Sequence, residues 1–465
     1  MPVATPPLTE NALAEESGLA TDALQPDPFP LPLTPFERMM LAEDRAEYPM
    51  VATVEFDFSG RLDRTVLNDA YATAIARHPL LRARVEKQPF KQPIWVAAAT
   101  AQVEYSNEEA GFPLKRIDLS ELSGLLLRVS EVADRVKLQL HVHHACCDGS
   151  GIFSFFQDLL LAYHQQVAGE TPQLTPLDFD ALPRRNKFPL SSKSIGQWLY
   201  RIGFGIREAA KFTLRAIEPL VSSNDRGKGI SGFHQVALQT EGELLKGLRK
   251  TAVREGVTLN DLLLRDYLAT LGDWQRHNRD STLAKERFRL LVPCDLRTEQ
   301  HAELPAANVL GYAFLTRDIA DCEHSDELLQ NVQAEMAFIR ETNASLYFLR
   351  CLNVAARVPG GMAGIGRSRG CFSTSLLSNL GDPSKYLSRE LPRDRGRIKA
   401  GDLVLEDIVA HPPLRAETRA GIVLITYRNQ LSLGLTCDAR YFSESAAQEL
   451  GSQFLMVLKK TATSS

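Results

Sequence analysis

The stretch "LQLHVHHACCDGSGIFSFF", Leu138 to Phe156, decides how this chain is read, because its period changes halfway. In "RVKLQLHVHH", Val136, Leu138, Leu140 and Val142 fall on one face and Lys137, Gln139, His141 and His143 on the other. That is the two-residue alternation of a half-buried strand. Beyond it, Ile152, Phe153, Phe156, Leu159, Leu160 and Tyr163 recur at helical spacing until Gly169. The spacing predicts a strand, a tight loop and a helix. The loop carries His144, Cys146, Cys147, Asp148 and Gly149.

Three chemistries fit such a cluster. A metal needs convergent ligands, but His-x-His-His-x-x-x-Asp lacks the closing Asp-His of a binuclear site. The histidines His164, His234, His277, His301 and His411 stand alone. No metal is expected. A thiol nucleophile needs a depressed pKa and a base, and Cys146 and Cys147 lie beside histidines at a helix start. Vicinal cysteines in an apolar loop are nevertheless more often small buried side chains. The third chemistry is proton transfer. His144 follows Val142 in strand register, so an imidazole ends the apolar row. A lone histidine there is usually a satisfied core residue, but Asp148 and Gly149 in the same loop favour a base.

Outward from this loop the elements alternate. Thr34, Pro35 and Glu37 make a capping box at "PLTPFERMM", and "MVATVEFDFSG" reads as a strand ending at Gly60. A helix follows in "RTVLNDAYATAIA", ended by Pro79, and then a strand through Leu81 and Val85. In the second half "HQVALQT", "FRLLVPCDLR", "VLGYAFLTRDI", "CFSTSLLSNLGD", "LVLEDIVA" and "GIVLITYRNQLSLGLTCDA" read as strands. "VTLNDLLLRDYLATLGDW", capped by Thr258 with Asp261, and "SESAAQELGSQFLMVLKK" read as helices. Two α/β domains with mixed sheets account for this order. The division is a disordered leader over 1–30, a domain over 31–175, a Pro/Asp-rich linker and amphipathic helix over 176–230, and a domain over 231–465. The helix, Ile195 to Leu220, packs on its own protein or, given Trp198 and a basic face, touches a membrane or lipid.

Composition narrows the function. With 465 residues, 44% hydrophobic and 24% charged, the chain is neither disordered nor fibrous. A net charge of −4 provides no basic surface for nucleic acid, so no nucleic-acid partner is expected. Seven scattered cysteines without a Cys-x-x-Cys pair fit a reducing cytoplasm, and no run of about 18 apolar residues predicts a membrane span.

His143-His144-x-x-x-Asp148-Gly149 resembles the HHxxxDG signature of the superfamily containing chloramphenicol acetyltransferase, peptide-synthetase condensation domains, polyketide-associated acyltransferases and bacterial wax ester synthases. Other blocks follow in order. "LTPFERMM" (Leu33 to Met40), "RHPLLRARV" (Arg77 to Val85) and "VPCDLR" (Val292 to Arg297) resemble condensation-domain blocks. "VTLNDLLL" and "ANVLGYAFL" resemble wax ester synthase segments, and "LLSNLGD" the family's Ser-Asn strand. The resemblance spans about Pro32 to Phe442. It lacks the plant branch's DFGWG block, where "RDRGRIKAGD" stands, and it lacks a carrier-domain GGxS serine.

The resemblance implies an α/β pseudo-dimer of two chloramphenicol acetyltransferase-like domains with a tunnel between them. It makes His144 the general base of a standalone acyltransferase, with no covalent acyl-enzyme. The donor would be acyl-coenzyme A or a phosphopantetheinyl thioester on an acyl carrier protein. The acceptor would be a small-molecule alcohol, or less favourably an amine as in amide-forming condensation. An inactive scaffold is the rival of another class. His143, Asp148, Gly149 and Arg297 would shape the loop, Asp148 either pairing with Arg297 or capping the helix. Gly149 would make a turn that only glycine tolerates. Ser378 and Asn379 would line the tunnel or bind the oxyanion, or form a turn.

Overall fold

The computed structural model describes residues 26–89, 91–108, 112–188, 217–221, 231–278, 286–368, 370–385, 387 and 390–463. Of the leader expected over 1–30, residues 1–25 lie outside the described residues, and so do residues 195–216 of the helix expected over Ile195 to Leu220. In chain order the first elements are β1 Leu31–Pro32, α1 Pro35–Glu43, β2 Val51–Ser59, α2 Arg64–Ala76, β3 Ala83–Glu86 and β4 Ile94–Ala97. They are followed by β5 Glu104–Ser106, β6 Leu125–Val132, β7 Arg135–His143 and α3 Gly149–Val167. The second half has β8 Phe233–Gln239, α4 Gly242–Glu255, α5 Leu259–His277, β9 Arg287–Asp295, β10 Leu310–Asp318, α6 Asp326–Thr342, α7 Ser345–Ala355 and α8 Gly361–Arg367. It ends with β11 Ser375–Gly381, β12 Arg393–Asp394, β13 Arg397–Ala400, β14 Leu403–His411, β15 Ala420–Tyr427, β16 Gln430–Asp438 and α9 Glu444–Thr463.

Local signals place many of these ends. Thr34 accepts from the Glu37 N–H at 3.3 Å while Glu37 accepts from the Thr34 N–H at 2.8 Å, and Thr258 with Asp261 repeats the box at α5. Asp63 caps α2. The strand expected through Leu81 begins only at Ala83, because Pro79–Arg82 forms a 3-10 turn first. The stretch over 319–370, to which the sequence reading assigned no helix, holds α6, α7 and α8.

Two mixed sheets form the body. The first has the order β12-β13-β14-β2-β7-β6-β5 and the second β10-β9-β11-β15-β16-β8. A small sheet β1-β4-β3 flanks the first. Most neighbours are antiparallel; β5 on β6 and β11 on both β9 and β15 are parallel. Each large sheet packs helices on its own core, α2 and α3 against the first and α5 and α9 against the second. The sheets do not follow the division at residue 231. Strands β12 to β14 leave the second half and complete the first sheet, β14 pairing with β2. The chain then crosses back into β15.

The expected linker over 176–185 is anchored to the first core. Arg185 is 2% exposed and donates to Glu37 at 2.7 Å and to the Leu182 and Pro32 carbonyls. Glu37 therefore caps α1, receives Trp95 Nε1 at 2.9 Å and neutralises a buried guanidinium. Where the sheets meet, β16 approaches β14 so closely that a Cβ on Gly434 would lie 2.0 Å from the Ala410 carbonyl oxygen. Only glycine allows that approach.

Candidate active site

Strand β7 pairs with β2 in a register that sets Val51 opposite His143. The half-buried strand read from the alternation is buried on both faces near its end: His141 is 1% and His143 0% exposed. The polar face is covered by segments remote in sequence. Phe112 donates its N–H to Gln139 at 3.0 Å, and Asp44 lies 3.7 Å from His143 Nε2. Burial drives the His141 imidazole down to about 4, so it stays neutral.

The loop after β7 is held from both halves of the molecule. His144 donates its N–H to the Met50 carbonyl at 2.7 Å, and the Ala145 N–H donates to His143 Nδ1 at 3.1 Å. From the second half, Asn308 Nδ2 donates to the carbonyls of His144 and Ala145 at 3.0 and 2.9 Å. Asp148 unites the two roles that the sequence left open. One oxygen accepts from Arg297 at 2.8 Å and from the Gly151 N–H at 2.9 Å, capping α3. The other accepts from Arg297 at 2.9 Å and from the Val309 N–H at 2.8 Å. Burial alone would raise this carboxyl. The Arg297 charge and these four hydrogen bonds instead hold it below its ordinary value.

Strand phase sends the two motif histidines different ways. His143 is enclosed between Asp44 and the turn, while His144 borders a cavity of ≈ 200 Å³ between the two sheets. The walls come from α1, from β2 and β14 of the first sheet and from β9, β10, β11 and β15 of the second, and they are largely apolar, with Met39, Met40, Leu291, Leu310 and Val423 among them. Burial pushes the His144 imidazole below its ordinary value, against smaller opposing effects of its own carbonyl, Asp148 and Asn308. It is therefore neutral at pH 7 and able to accept a proton.

The other sequence candidates find places. Ser378 and Asn379 on β11 both line the cavity. Asn379 also makes the turn that was its alternative, accepting from the Gly381 N–H at 3.0 Å and donating to Asn260 at 3.1 Å. Ser378 is the freer donor. Cys146 and Cys147 are fully buried, and burial pushes both thiols well up, so neither is an activated nucleophile. Among the described residues no three His, Cys, Asp or Glu side chains gather as metal ligands.

Gly149 corrects an expectation. Its φ is not positive, so no glycine-only turn occurs there. What it supplies is room: a Cβ would meet Leu380 Cδ2 at 2.6 Å. It is the first residue of α3, packed against the cavity's β11 wall.

Three residues of the site carried no role in the sequence reading. Asn308 lies inside the quoted "ANVLGYAFL", yet nothing local says that its amide reaches residues 144 and 145. Glu43 and Arg415 form an ion pair of 2.9 Å in the cavity wall, with the Arg415 guanidinium 4.2 Å over the Phe372 ring. Their separation along the chain hides the pair from any pattern. No helix among the described residues is long and apolar enough to cross a membrane.

No protein-family model matches this chain, and no curated protein sequence matches it. Solved structures do. The trichothecene 15-O-acetyltransferase of Fusarium sporotrichioides is 12% identical, with 92% of this chain and 94% of that one covered at a TM-score of 0.68. Polyketide synthase associated protein 5 of Mycobacterium tuberculosis is 16% identical, covering 93% and 98% at 0.62. The first condensation domain of the CDA synthetase is 14% identical, covering 93% and 95% at 0.64. At such identities the likeness is one of fold: this chain has the two-sheet, mixed α/β pseudo-dimer fold of condensation domains and chloramphenicol acetyltransferase-like acyltransferases.

Proposed function

We propose that this protein is an acyltransferase that moves an acyl group from a thioester to a hydroxyl acceptor, with His144 as general base. The observation that carries this reading is the position of His144. It is neutral, its backbone is fastened from both halves, and it stands at a largely apolar cavity between the sheets. The acceptor hydroxyl gives its proton to His144 Nε2 as its oxygen attacks the thioester carbonyl carbon. The resulting oxyanion is met by Ser378, which lines the cavity. Collapse breaks the C–S bond, and the departing thiolate takes the proton back from the imidazolium. No acyl-enzyme forms, which agrees with the burial of both loop cysteines.

Acyl-coenzyme A and a carrier-bound phosphopantetheinyl thioester are the two donor classes. The likeness to condensation domains over nearly the whole chain supports testing amide formation beside ester formation. The experiment is thiol release from acyl-coenzyme A and from acyl carrier protein over a panel of alcohols and amines, with His144→Ala as control. Ester formation that disappears in the variant is the expected result. Turnover unchanged in His144→Ala overturns the general-base role, and amide formation alone replaces the hydroxyl acceptor with an amine.

A further inference from the structure

We propose that Asn308 is the positioning residue of His144: its carboxamide fixes the imidazole with the proton on Nδ1, turned from the cavity, leaving Nε2 free to accept. This rests on the reading of His144 as the base. Asp148 is not available to choose the tautomer. A carboxylate offers about four lone-pair sites, and those of Asp148 take Arg297 twice, the Val309 N–H and the Gly151 N–H. The aspartate of the motif is thus spent on the loop and has no acceptor left for the ring. Some other group must choose the tautomer.

Asn308 precedes β10 and is 7% exposed. Both neighbours in sequence serve the same loop, Ala307 accepting from Arg297 at 3.0 Å and Val309 donating to Asp148. The Nδ2 of Asn308 is used on the carbonyls of His144 and Ala145. Its Oδ1 is buried and without a partner, and so is His144 Nδ1. A buried acceptor and a buried ring nitrogen left over on two residues already hydrogen-bonded to each other are complementary only if Nδ1 carries the hydrogen. The carboxamide indeed favours the protonated imidazole, as a facing acceptor does. The His144 carbonyl, which also favours the protonated ring, is the one that Asn308 holds. One side chain therefore sets both the backbone and the ring. It does so without charge, so the imidazole keeps a pKa below the ordinary histidine value and remains a base at neutral pH.

The test uses the full-length protein with Asn308→Ala and Asn308→Asp. In Asn308→Ala, kcat should fall on the order of 10- to 10²-fold with KM within about twofold, and the acid limb of the rate profile should move to lower pH. In Asn308→Asp, a carboxylate facing the ring should move that limb to higher pH. A role confined to stability moves the melting temperature and neither limb, and opposite limb shifts with little change in melting are the expected result. ¹⁵N-histidine NMR, with His144 assigned by its absence in His144→Ala, reads the tautomer without any substrate. An Nε2–H tautomer in the wild type, or the same tautomer and titration in all three proteins, overturns the proposal. Should thiol release not depend on His144, the base reading fails, while the tautomer measurement still decides what Asn308 does.

Discussion

Two corners of the molecule are built alike and loaded differently. In the first sheet the hairpin β6–β7 runs through residues 144–148 into α3; in the second, the hairpin β15–β16 runs through 439–443 into α9, a connection of the same length. Each helix is capped from the last loop position, Asp148 accepting from the Gly151 N–H and Ser443 from the Ala446 N–H at 3.2 Å. Each strand ends on a buried polar residue that faces the segment after α1: His143 Nε2 lies 3.7 Å from Asp44, and Asp438 accepts from Tyr48 at 3.0 Å. The next residue separates them. It is His144 at the cavity in one corner and Ala439, 2% exposed, in the other. The backbone device alone therefore carries no chemistry, and an imidazole facing a cavity is what distinguishes one copy.

Four predictions press on that difference. His144→Ala should lower turnover by roughly 10²- to 10⁴-fold without changing the thermal midpoint, because it removes proton transfer and no packing that the fold needs. Thiol-release kinetics beside a melting curve check it, and full activity would make the two corners equivalent. Asp148→Ala should cost about 3 to 5 kcal/mol in denaturant unfolding, since the Gly151 and Val309 N–H groups lose their acceptor and Arg297 keeps only the Asp295 carboxylate, at 3.2 Å. A wild-type midpoint with lost activity would instead assign Asp148 to the chemistry.

The third prediction concerns pH. His144 is held below its ordinary value of about 6.5, so the base stays neutral at pH 7 and activity falls only as pH drops through that lowered value. For stability the same corner is acid-sensitive through Asp148. Its folded pKa lies below the unfolded value of about 3.9, so its contribution is present above that pH and is lost as pH falls through the folded value. Asp148→Asn should remove this acid sensitivity in unfolding measured between neutral and strongly acid solution. The smallest effect belongs to the silent corner. Ser443→Ala should cost only about 1 kcal/mol, the usual value of a helix N-cap, and leave turnover untouched.

Much of this was legible locally. The capping boxes at Thr34 and Thr258, the alternation of β2 and β7 and the helical stripe of α3 all act within a few residues, so their patterns survive in one dimension. The resemblance of the motif blocks added the pairing of Asp148 with Arg297, and the structure shows that pair capping α3 as well. Other features were misread because their cause is distant. His141 and His143 look solvent-facing until Phe112 and Asp44 are placed over them. Residues 176–185 read as linker, yet Arg185 is one of the largest fully buried side chains, anchored to Glu37. Gly149 suggested a special turn and proved to be a matter of space beside Leu380.

By itself the sequence determined the two-sheet α/β class, the strand–loop–helix that carries the motif, and the different directions in which His143 and His144 point, because side-chain period follows from backbone geometry alone. Only the tertiary structure decided that β12 to β14 complete the first sheet, that Glu43 meets Arg415 in the cavity wall, and that Asn308 holds the loop from 164 residues away. Those contacts depend on which remote segments share a small volume, and no local periodicity records that.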